Sequence, residues 1–376
     1  MLDANYTLGT INQLYKQKML FETINLGGIS LANRTVMAPM TRSRATQNNT
    51  PDALMASYYK QRATAGLIIT EGTSPSPNGV GYARIPGIYN EEQVQGWRLV
   101  TDAVHQAGGK IFVQLMHTGR VSQQDNLPVD AHVVGPCAEV LPGEIWTDKA
   151  GMQPHTAPVA MTELDIAQAV EEYANAAKLA IRAGFDGIEL HAANGYLMEQ
   201  FLNANVNKRM DAYGGNADAR NRFTLEVAQA CVAAIGADKV GIRISPYGVF
   251  NGTGEFDGVE EQFLTLTKKL SDLGLVYLHL VDHSAMGAPP VPVEFKHKLR
   301  AAFAQAFIAV GGFDARSASL ALQAKEADLI AFGRPFISNP DLVARLKSGA
   351  ALTAPDMSTF YTPGDKGYTD YLALAA

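Results

Sequence analysis

Eight short runs rich in Val, Ile and Leu recur along this 376-residue chain, and turn residues followed by a helical pattern come after each run. The runs lie at residues 35–40, 67–72, 110–117, 187–192, 240–245, 276–282, 307–312 and 329–334. Nearly continuous apolar character, rather than alternation, is expected of parallel strands that are buried on both faces. Eight such units predict an α/β fold, a closed TIM (β/α)₈ barrel. An open doubly wound sheet would carry GxGxxG after its first strand, and this sequence has none.

Three further segments extend the predicted barrel. Residues 1–18 are expected to be an N-terminal extension, and residues 19–376 a single barrel domain. The segment FETINLGGISLANR has Gly27-Gly28 at its centre, which predicts a β-hairpin that caps the barrel bottom. Residues 118–160 form a long insertion after the third strand, which is either a lid or a disordered linker. A lid is favoured because the strand C-termini face the active site in this fold.

Composition and charge exclude several classes of protein. The formal net charge is −6 and Lys and Arg are scattered, so no basic face for nucleic acid is expected. No apolar run approaches the ~20 residues of a membrane span, and the first twenty residues lack the continuous apolar stretch expected of a secretory signal. The two cysteines, Cys137 and Cys231, are far apart, which argues against a disulfide framework or a thiolate metal site. We therefore expect a cytoplasmic protein, either a monomer or a homodimer.

The C-terminal ends of the last two strands favour a phosphate site. Gly311 and Gly312 follow the seventh strand, and Gly333 and Arg334 follow the eighth. Backbone N–H groups exposed at glycines, together with a bidentate guanidinium, suit a phosphate group, and barrels often bind one at this place. The alternative is a pair of tight-turn glycines beside a surface arginine.

The segment HAANGYLMEQFLNANVNKRMDAYGG at residues 191–215 resembles the signature of the Old Yellow Enzyme family of FMN-dependent NAD(P)H oxidoreductases. Further segments match that family in order: NRTVMAPMTRSRA, AGLIITEGT, FVQLMH, GIRISPYGVF, GRPFISNPDLVARL and TFYTPGDKGYTDY. The resemblance runs from about Met19 to about Tyr371. It implies an ene-reductase that binds FMN tightly but not covalently and takes NADPH or NADH as its reductant. Thr41 matches the branch of the family that has Thr rather than Cys beside the flavin.

The resemblance also implies which residues bind the cofactor. Thr41 is expected to hydrogen-bond a pyrimidine carbonyl of the flavin, and Arg243 to lie beside its N1–C2=O edge. There the fixed positive charge of Arg243 would favour the anionic reduced flavin. The complete set of expected FMN contacts is Pro39, Met40, Thr41, Gly72, Gln114, Arg243, Gly311, Gly312, Gly333 and Arg334.

The catalytic residues follow from the same resemblance. His191 and Asn194 match the paired donors that bind the activating oxygen of the substrate, where negative charge develops as hydride leaves flavin N5 for the β-carbon. Tyr196 would then protonate the α-carbon, because a phenol with a pKa of about 10 stays protonated at neutral pH. Electron-poor alkenes, namely α,β-unsaturated carbonyl compounds or nitroalkenes, are the implied substrates. One site used in turn by both substrates implies ping-pong kinetics. Taken alone, a strand-end histidine would be read as a structural group.

The substrate pocket has one departure from the family pattern. Phe250, Tyr361 and Tyr82 match aromatic positions that line the pocket, beside the three catalytic residues. Where the family often has Trp, this chain has Met116, which is thinner and more flexible. We therefore expect a wider pocket that accepts bulkier enones or shows altered facial selectivity.

Two other functions remain open at this point. His117, His191, Asp282 and His283 all lie at predicted strand ends, so a metal-dependent barrel hydrolase is an alternative. No HxH or HExxH pair supports it, and we expect no bound metal. A non-catalytic flavin-binding or phosphate-binding protein would be yellow but would not consume NADPH in the presence of an enone.

Overall fold

The structure is a computed structural model that describes residues 18–374, so the predicted N-terminal extension lies outside the described residues except for Lys18. The strands are β1 (Ile24–Leu26), β2 (Ile29–Leu31), β3 (Thr35–Met37), β4 (Leu67–Thr73), β5 (Ile111–Leu115), β6 (Val134–Gly135), β7 (Glu144–Thr147), β8 (Gly151–Pro154), β9 (Val159–Ala160), β10 (Gly187–Ala192), β11 (Val240–Ile244), β12 (Tyr277–Val281), β13 (Ala306–Val310) and β14 (Leu329–Phe332). The α-helices are α1 (Ala53–Gln61), α2 (Glu91–Gln106), α3 (Glu163–Arg182), α4 (Leu197–Leu202), α5 (Ala217–Ile235), α6 (Val259–Asp272), α7 (Val293–Ala302), α8 (Ala315–Gln323), α9 (Arg334–Ser338) and α10 (Leu342–Ser348).

Strands β3, β4, β5 and β10 to β14 close a parallel barrel in that order, and β14 pairs with β3 to complete the ring. Every residue of β4, β10, β11 and β12 is buried, because one face points into the barrel and the other meets the surrounding helices. This double burial explains the unbroken apolar runs of the sequence. The predicted TIM barrel is confirmed.

The hairpin of β1 and β2 caps the bottom of the barrel, as predicted. Its Leu26 and Leu31 pack into the same buried cluster as Val276 and other residues of the barrel interior. Gly27 has a φ of +56°, and a Cβ there would lie 2.5 Å from the carbonyl oxygen of Asp238, which precedes β11. A close approach of this kind at a left-handed turn favours glycine.

The insertion at residues 118–160 is ordered, so the disordered-linker alternative is wrong. Strand β6 pairs with β9, and β7 forms an antiparallel pair with β8. Asn126 Nδ2 donates to the Gly81 carbonyl oxygen at 3.0 Å, and Arg120 Nη2 donates to the Asn251 carbonyl oxygen at 3.2 Å. The insertion is therefore bonded to the loops that follow β4 and β11.

Candidate active site

The C-terminal ends of the barrel strands surround a cavity of about 840 Å³. That volume lies in the range of roughly 300–1,000 Å³ that is usual for ligand and cofactor sites. All of the predicted site residues line it: Pro39, Met40, Thr41, Gly72, Tyr82, Gln114, Met116, His191, Asn194, Tyr196, Arg243, Phe250, Gly311, Gly312, Gly333, Arg334 and Tyr361. The structure thus brings the whole predicted set together, while the role of each residue stays a prediction.

His191 and Asn194 offer neutral polar groups to this cavity. His191 Nδ1 accepts a hydrogen bond from the Ala193 N–H at 3.3 Å, so the neutral ring carries its proton on Nε2. Burial, and then the charge of Arg243, lowers the pKa of His191 well below 6.5, which keeps the ring neutral at physiological pH. The Oδ1 atom of Asn194 is buried and has no hydrogen-bond partner among residues 18–374. This oxygen can accept a hydrogen bond from a ligand, whereas a donor role for Asn194 would belong to its Nδ2 group.

Tyr196 lies beside this pair and is the residue immediately before α4. Its hydroxyl group is 3.1 Å from the hydroxyl of Tyr82, and its ring centroid is 4.9 Å from that of His191. Burial raises the pKa of Tyr196 above its ordinary value of 10. The phenol is therefore protonated at neutral pH and can donate a proton within the cavity.

One wall of the cavity is suited to the polar edge of a flavin ring. Arg243 is buried, and its Nε has no hydrogen-bond partner within the described part of the chain. Although burial lowers the pKa of its guanidinium, an arginine keeps its charge inside proteins. Gln114 Nε2 donates to Glu189 Oε1 at 2.8 Å, which holds the amide in place. A buried cation with an unused donor and an oriented amide fit the pyrimidine edge of FMN.

The part of the cavity at the ends of β13 and β14 is suited to a phosphate group. Gly311 and Gly312 follow β13, and a Cβ at Gly312 would lie 2.6 Å from the Cβ of Ala285, at a φ of +74°. Gly333 follows β14, and the side chain of Arg334 is exposed and lines the same cavity. Glycine N–H groups, which no side chain covers, fit a phosphate when a guanidinium lies beside them. These residues and the wall that contains Arg243 and Gln114 together fit FMN.

The predicted substrate residues Met116, Phe250 and Tyr361 line the cavity in different surroundings. A Cβ on Gly72 would lie 2.4 Å from the Sδ of Met116, so Met116 packs directly on that glycine. The ring of Phe250 meets the ring of His283 edge to face at a centroid distance of 4.7 Å. Tyr361 is 61% exposed, which places it at the solvent side of the cavity.

A C-terminal segment forms one wall of the cavity. Of its lining residues, the sequence predicted only Tyr361. Phe360 also lines the cavity, and its carbonyl oxygen accepts hydrogen bonds from Arg42 Nε at 3.1 Å and Arg44 Nη1 at 2.7 Å. The arginines follow Thr41 in the sequence, so the loop after β3 holds this segment. Other lining residues without a predicted cofactor or substrate role are Ala38, Asn251, Val281, Asp282, His283, Ala285, Met286, Val310, Phe313, Ala331, Phe332, Pro335, Ile337 and Met357.

The insertion supports the cavity walls. It contacts the loops that contain Tyr82 and Asn251, both of which line the cavity. None of residues 118–160, all of which the structure describes, is itself a lining residue. The expectation of a lid is therefore corrected to that of a support behind the walls.

The four candidate metal ligands of the hydrolase alternative do not form a metal centre. His117 is buried, its Nδ1 accepts a hydrogen bond from the Gly119 N–H at 3.0 Å, and burial lowers its pKa to about 3. Asp282 forms an ion pair with Lys296 at 2.5 Å. From residue 18 to residue 374, no group of three or more His, Cys, Asp or Glu side chains is placed to hold a metal ion. The hydrolase alternative is not supported.

Known proteins resemble this chain over nearly its whole length. A family model described as the NADH:flavin oxidoreductase / NADH oxidase family matches residues 19–353. Chanoclavine-I aldehyde reductase of Penicillium roqueforti (strain FM164) is 43% identical over 363 residues, which cover 94% of this chain and 95% of that protein. Morphinone reductase in complex with tetrahydroNAD has a TM-score of 0.90 at 42% identity, over 95% of this chain and 98% of that chain. The Old Yellow Enzyme homologue from Zymomonas mobilis has a TM-score of 0.91 at 38% identity, over 94% and 99% respectively.

Proposed function

Because this chain belongs to the NADH:flavin oxidoreductase / NADH oxidase family, we propose that it reduces the C=C bond of α,β-unsaturated carbonyl compounds and nitroalkenes. The resemblance to the Old Yellow Enzyme family is confirmed, and the chain is a flavin-dependent oxidoreductase of the alkene reductase type. Its cofactor is FMN and its reductant is NAD(P)H. One observation carries the proposed chemistry: the neutral imidazole of His191, the amide of Asn194 and the protonated phenol of Tyr196 line the same cavity.

His191 and Asn194 bind the activating oxygen of the substrate in this proposal. The imidazole of His191 donates from Nε2, since its Nδ1 is already bonded to the Ala193 N–H. Two neutral donors on one carbonyl or nitro oxygen withdraw electrons from the alkene and stabilise the negative charge that develops on that oxygen. Both donors are uncharged, so they bind the oxygen without adding a charge of their own to the cavity.

Tyr196 supplies the proton that completes the reduction. Its hydroxyl is next to that of Tyr82 at 3.1 Å, so the phenolate that it leaves behind keeps a hydrogen-bond donor. The raised pKa of Tyr196 makes it a weak acid in the resting protein. Transfer is therefore coupled to the appearance of negative charge on the substrate.

When bound, FMN carries hydride from NAD(P)H to the β-carbon of the alkene. The cationic Arg243 would stabilise negative charge at the pyrimidine edge, and Pro39, Met40, Thr41, Gly72 and Gln114 would hold the ring. Gly311, Gly312, Gly333 and Arg334 would hold the phosphate. NAD(P)H and the alkene occupy one cavity in turn, which gives ping-pong kinetics.

We also propose a location, an oligomeric state and a domain organisation for the protein. Within the described residues, no helix is long and apolar enough to cross a bilayer. We place the protein in the cytoplasm, as a monomer or homodimer that binds no nucleic acid. Residues 19–376 form one FMN-binding domain, and residues 1–18 are an extension to it.

Replacing Tyr196 with Phe separates the two half-reactions and tests the proposal. The variant should slow flavin reoxidation by 2-cyclohexenone by about 10²–10⁴-fold, because positioned acid catalysis is lost. Flavin reduction by NADPH, measured anaerobically by stopped-flow absorbance, should be unchanged. Tyr213→Phe is the matched control, because Tyr213 bonds Glu226 outside the cavity. Reoxidation of Tyr196→Phe at the parent rate would show that Tyr196 is not the acid.

A further inference from the structure

Side chains hold both backbone polar groups of Asn194. Its N–H donates to Ser245 Oγ at 2.9 Å. Its carbonyl oxygen accepts a hydrogen bond from Asn251 Nδ2 at 2.7 Å. The backbone of this proposed oxygen-binding residue is therefore held by the residue that follows β11 and by the loop beyond it.

Gly195, the next residue, is held in the same way. Its N–H donates to Glu199 Oε2 at 2.5 Å, and its carbonyl oxygen accepts from Gln200 Nε2 at 2.8 Å. Four consecutive backbone groups are thus bonded to side chains. We call these four side chains the turn cage; they are Ser245, Asn251, Glu199 and Gln200.

Glu199 and Ser245 form the buried centre of the turn cage. Ser245 Oγ donates to Glu199 Oε1 at 2.9 Å, so the hydrogen bonds to Asn194 and Gly195 belong to one network. Glu199 is 1% exposed and Ser245 is fully buried. Burial raises the pKa of Glu199 to about 8, so the carboxyl group is uncharged at neutral pH. Neither residue lines the cavity.

The turn adopts a backbone conformation that needs such support. Asn194 has a φ of +59° and Gly195 a φ of +75°, both in the left-handed region. That region costs free energy for a residue with a side chain, and such residues persist where their surroundings hold them. A Cβ on Gly195 would lie 2.5 Å from the Phe250 carbonyl oxygen, so the turn also packs closely against the loop after β11.

We propose that Ser245 and Glu199 are positioning residues, which aim the amide of Asn194 at the activating oxygen of the substrate by holding the backbone of its turn. This inference rests on the proposed function, because it gives Asn194 the role of an oxygen donor. Two donors can meet one oxygen atom only if their geometry is held closely, and supporting hydrogen bonds supply that restraint. Ser245 and Glu199 then affect ligand binding only through Asn194.

A double-mutant cycle on the FMN-loaded protein tests this dependence. Phenol, whose oxygen accepts from the same donors, is titrated into the oxidised protein and followed by flavin absorbance. Ser245→Ala should weaken phenol binding by about tenfold, the effect of one net hydrogen bond. In the Asn194→Ala background the same change should weaken it by less than about twofold, because coupled residues are not additive.

Two further variants make the test specific. Glu199→Gln keeps the size of the side chain but only one of its two acceptor oxygens, so either the Gly195 N–H or the Ser245 hydroxyl loses its acceptor. It should therefore weaken binding less than Ser245→Ala does. Its effect should also vanish in the Asn194→Ala background, and it serves if Ser245→Ala fails to fold. Ser319→Ala is the matched control, because it removes a buried hydroxyl that donates to the Ala315 carbonyl oxygen at 2.8 Å, on α8. It should leave phenol affinity unchanged.

The outcomes separate this inference from the proposed function. Equal weakening by Ser245→Ala in both backgrounds, or none in the parent, would overturn the positioning role while the donor role of Asn194 stands. Comparable weakening by Ser319→Ala would also overturn it, since any lost buried hydroxyl would then have the same effect. If Asn194→Ala alone leaves phenol affinity unchanged, the proposed donor pair is wrong and the inference falls with it.

Discussion

Replacing Glu199 with Gln tests how the burial of one carboxyl group affects stability. Burial raises the pKa of Glu199 from 4.5 to about 8, and the Gly195 N–H, the Ser245 hydroxyl and the charge of Arg243 oppose only part of that rise. Between these two values the folded protein keeps a proton that the unfolded chain has released. The free energy of unfolding therefore falls as pH rises through this window, by ~1.4 kcal/mol per pH unit near its middle.

The magnitude follows from the width of the window. From about pH 5.5 to about pH 7.5, Glu199 should lower the free energy of unfolding by roughly 2–3 kcal/mol. A glutamine releases no proton. Over the same pH range, the free energy of unfolding of the Glu199→Gln variant should therefore fall by about that much less than the free energy of unfolding of the parent does. Burial also raises the pKa of Glu71, to about 7, but this group is present in both proteins and its contribution cancels in the comparison.

Equilibrium urea unfolding at several pH values, with FMN in fixed excess and constant ionic strength, measures this difference. Glu71→Gln is the matched control. Its effect on the slope of the free energy of unfolding against pH should end near pH 7, whereas that of Glu199→Gln should end near pH 8. If the free energies of unfolding of the parent and Glu199→Gln changed in parallel with pH, the reasoning would be refuted. Glu199 would then titrate alike in the folded and unfolded states.

Three other substitutions have expected outcomes. Gly195→Ala should lower the melting temperature and the affinity for enones, because its Cβ would lie 2.5 Å from the Phe250 carbonyl oxygen at a φ of +75°; an unchanged thermal melt would contradict this. Arg243→Gln should lower the midpoint potential of the bound flavin by roughly 30–60 mV, if the lost charge is worth about 1.4–3 kcal/mol for two electrons. Spectroelectrochemistry measures this potential. An equal or higher potential in the variant would argue against a position of Arg243 beside the pyrimidine edge. Met116→Trp should narrow the pocket beside Gly72 and change the rate or enantiomeric excess with a prochiral enone; no change in either would show that residue 116 does not shape the pocket.

The barrel was predictable because its strands carry their own signal. Runs such as residues 67–72 and 187–192 are apolar throughout, since both of their faces are buried. The ends of the strands were less predictable. Strand β3 stops at Met37 rather than at residue 40, and the loop after it is held by a hydrogen bond from the Arg42 N–H to Glu71 Oε2 at 3.2 Å. That contact depends on the closed barrel and has no local signature.

The site was predictable where its residues form a continuous motif. His191, Asn194 and Tyr196 lie within six residues of sequence, and the structure places all three on one cavity. The turn cage was not predictable, because Ser245 is 51 residues from Asn194 and reaches it only through the pairing of β10 with β11. The contact of Arg42 with the Phe360 carbonyl oxygen spans 318 residues. Such partners are set by barrel register rather than by local pattern.

Deuterium tracing tests the central claim, reduction of an alkene across its C=C bond, most directly. Reduction of 2-cyclohexenone with NADPH that carries deuterium at the transferred position should give cyclohexanone with deuterium only at the β-carbon. Reduction with unlabelled NADPH in D₂O should place deuterium at the α-carbon, because the proton of Tyr196 exchanges with solvent. Deuterium from NADPH on the carbonyl carbon of an allylic alcohol would contradict the account, because the donor pair would then serve C=O rather than C=C reduction.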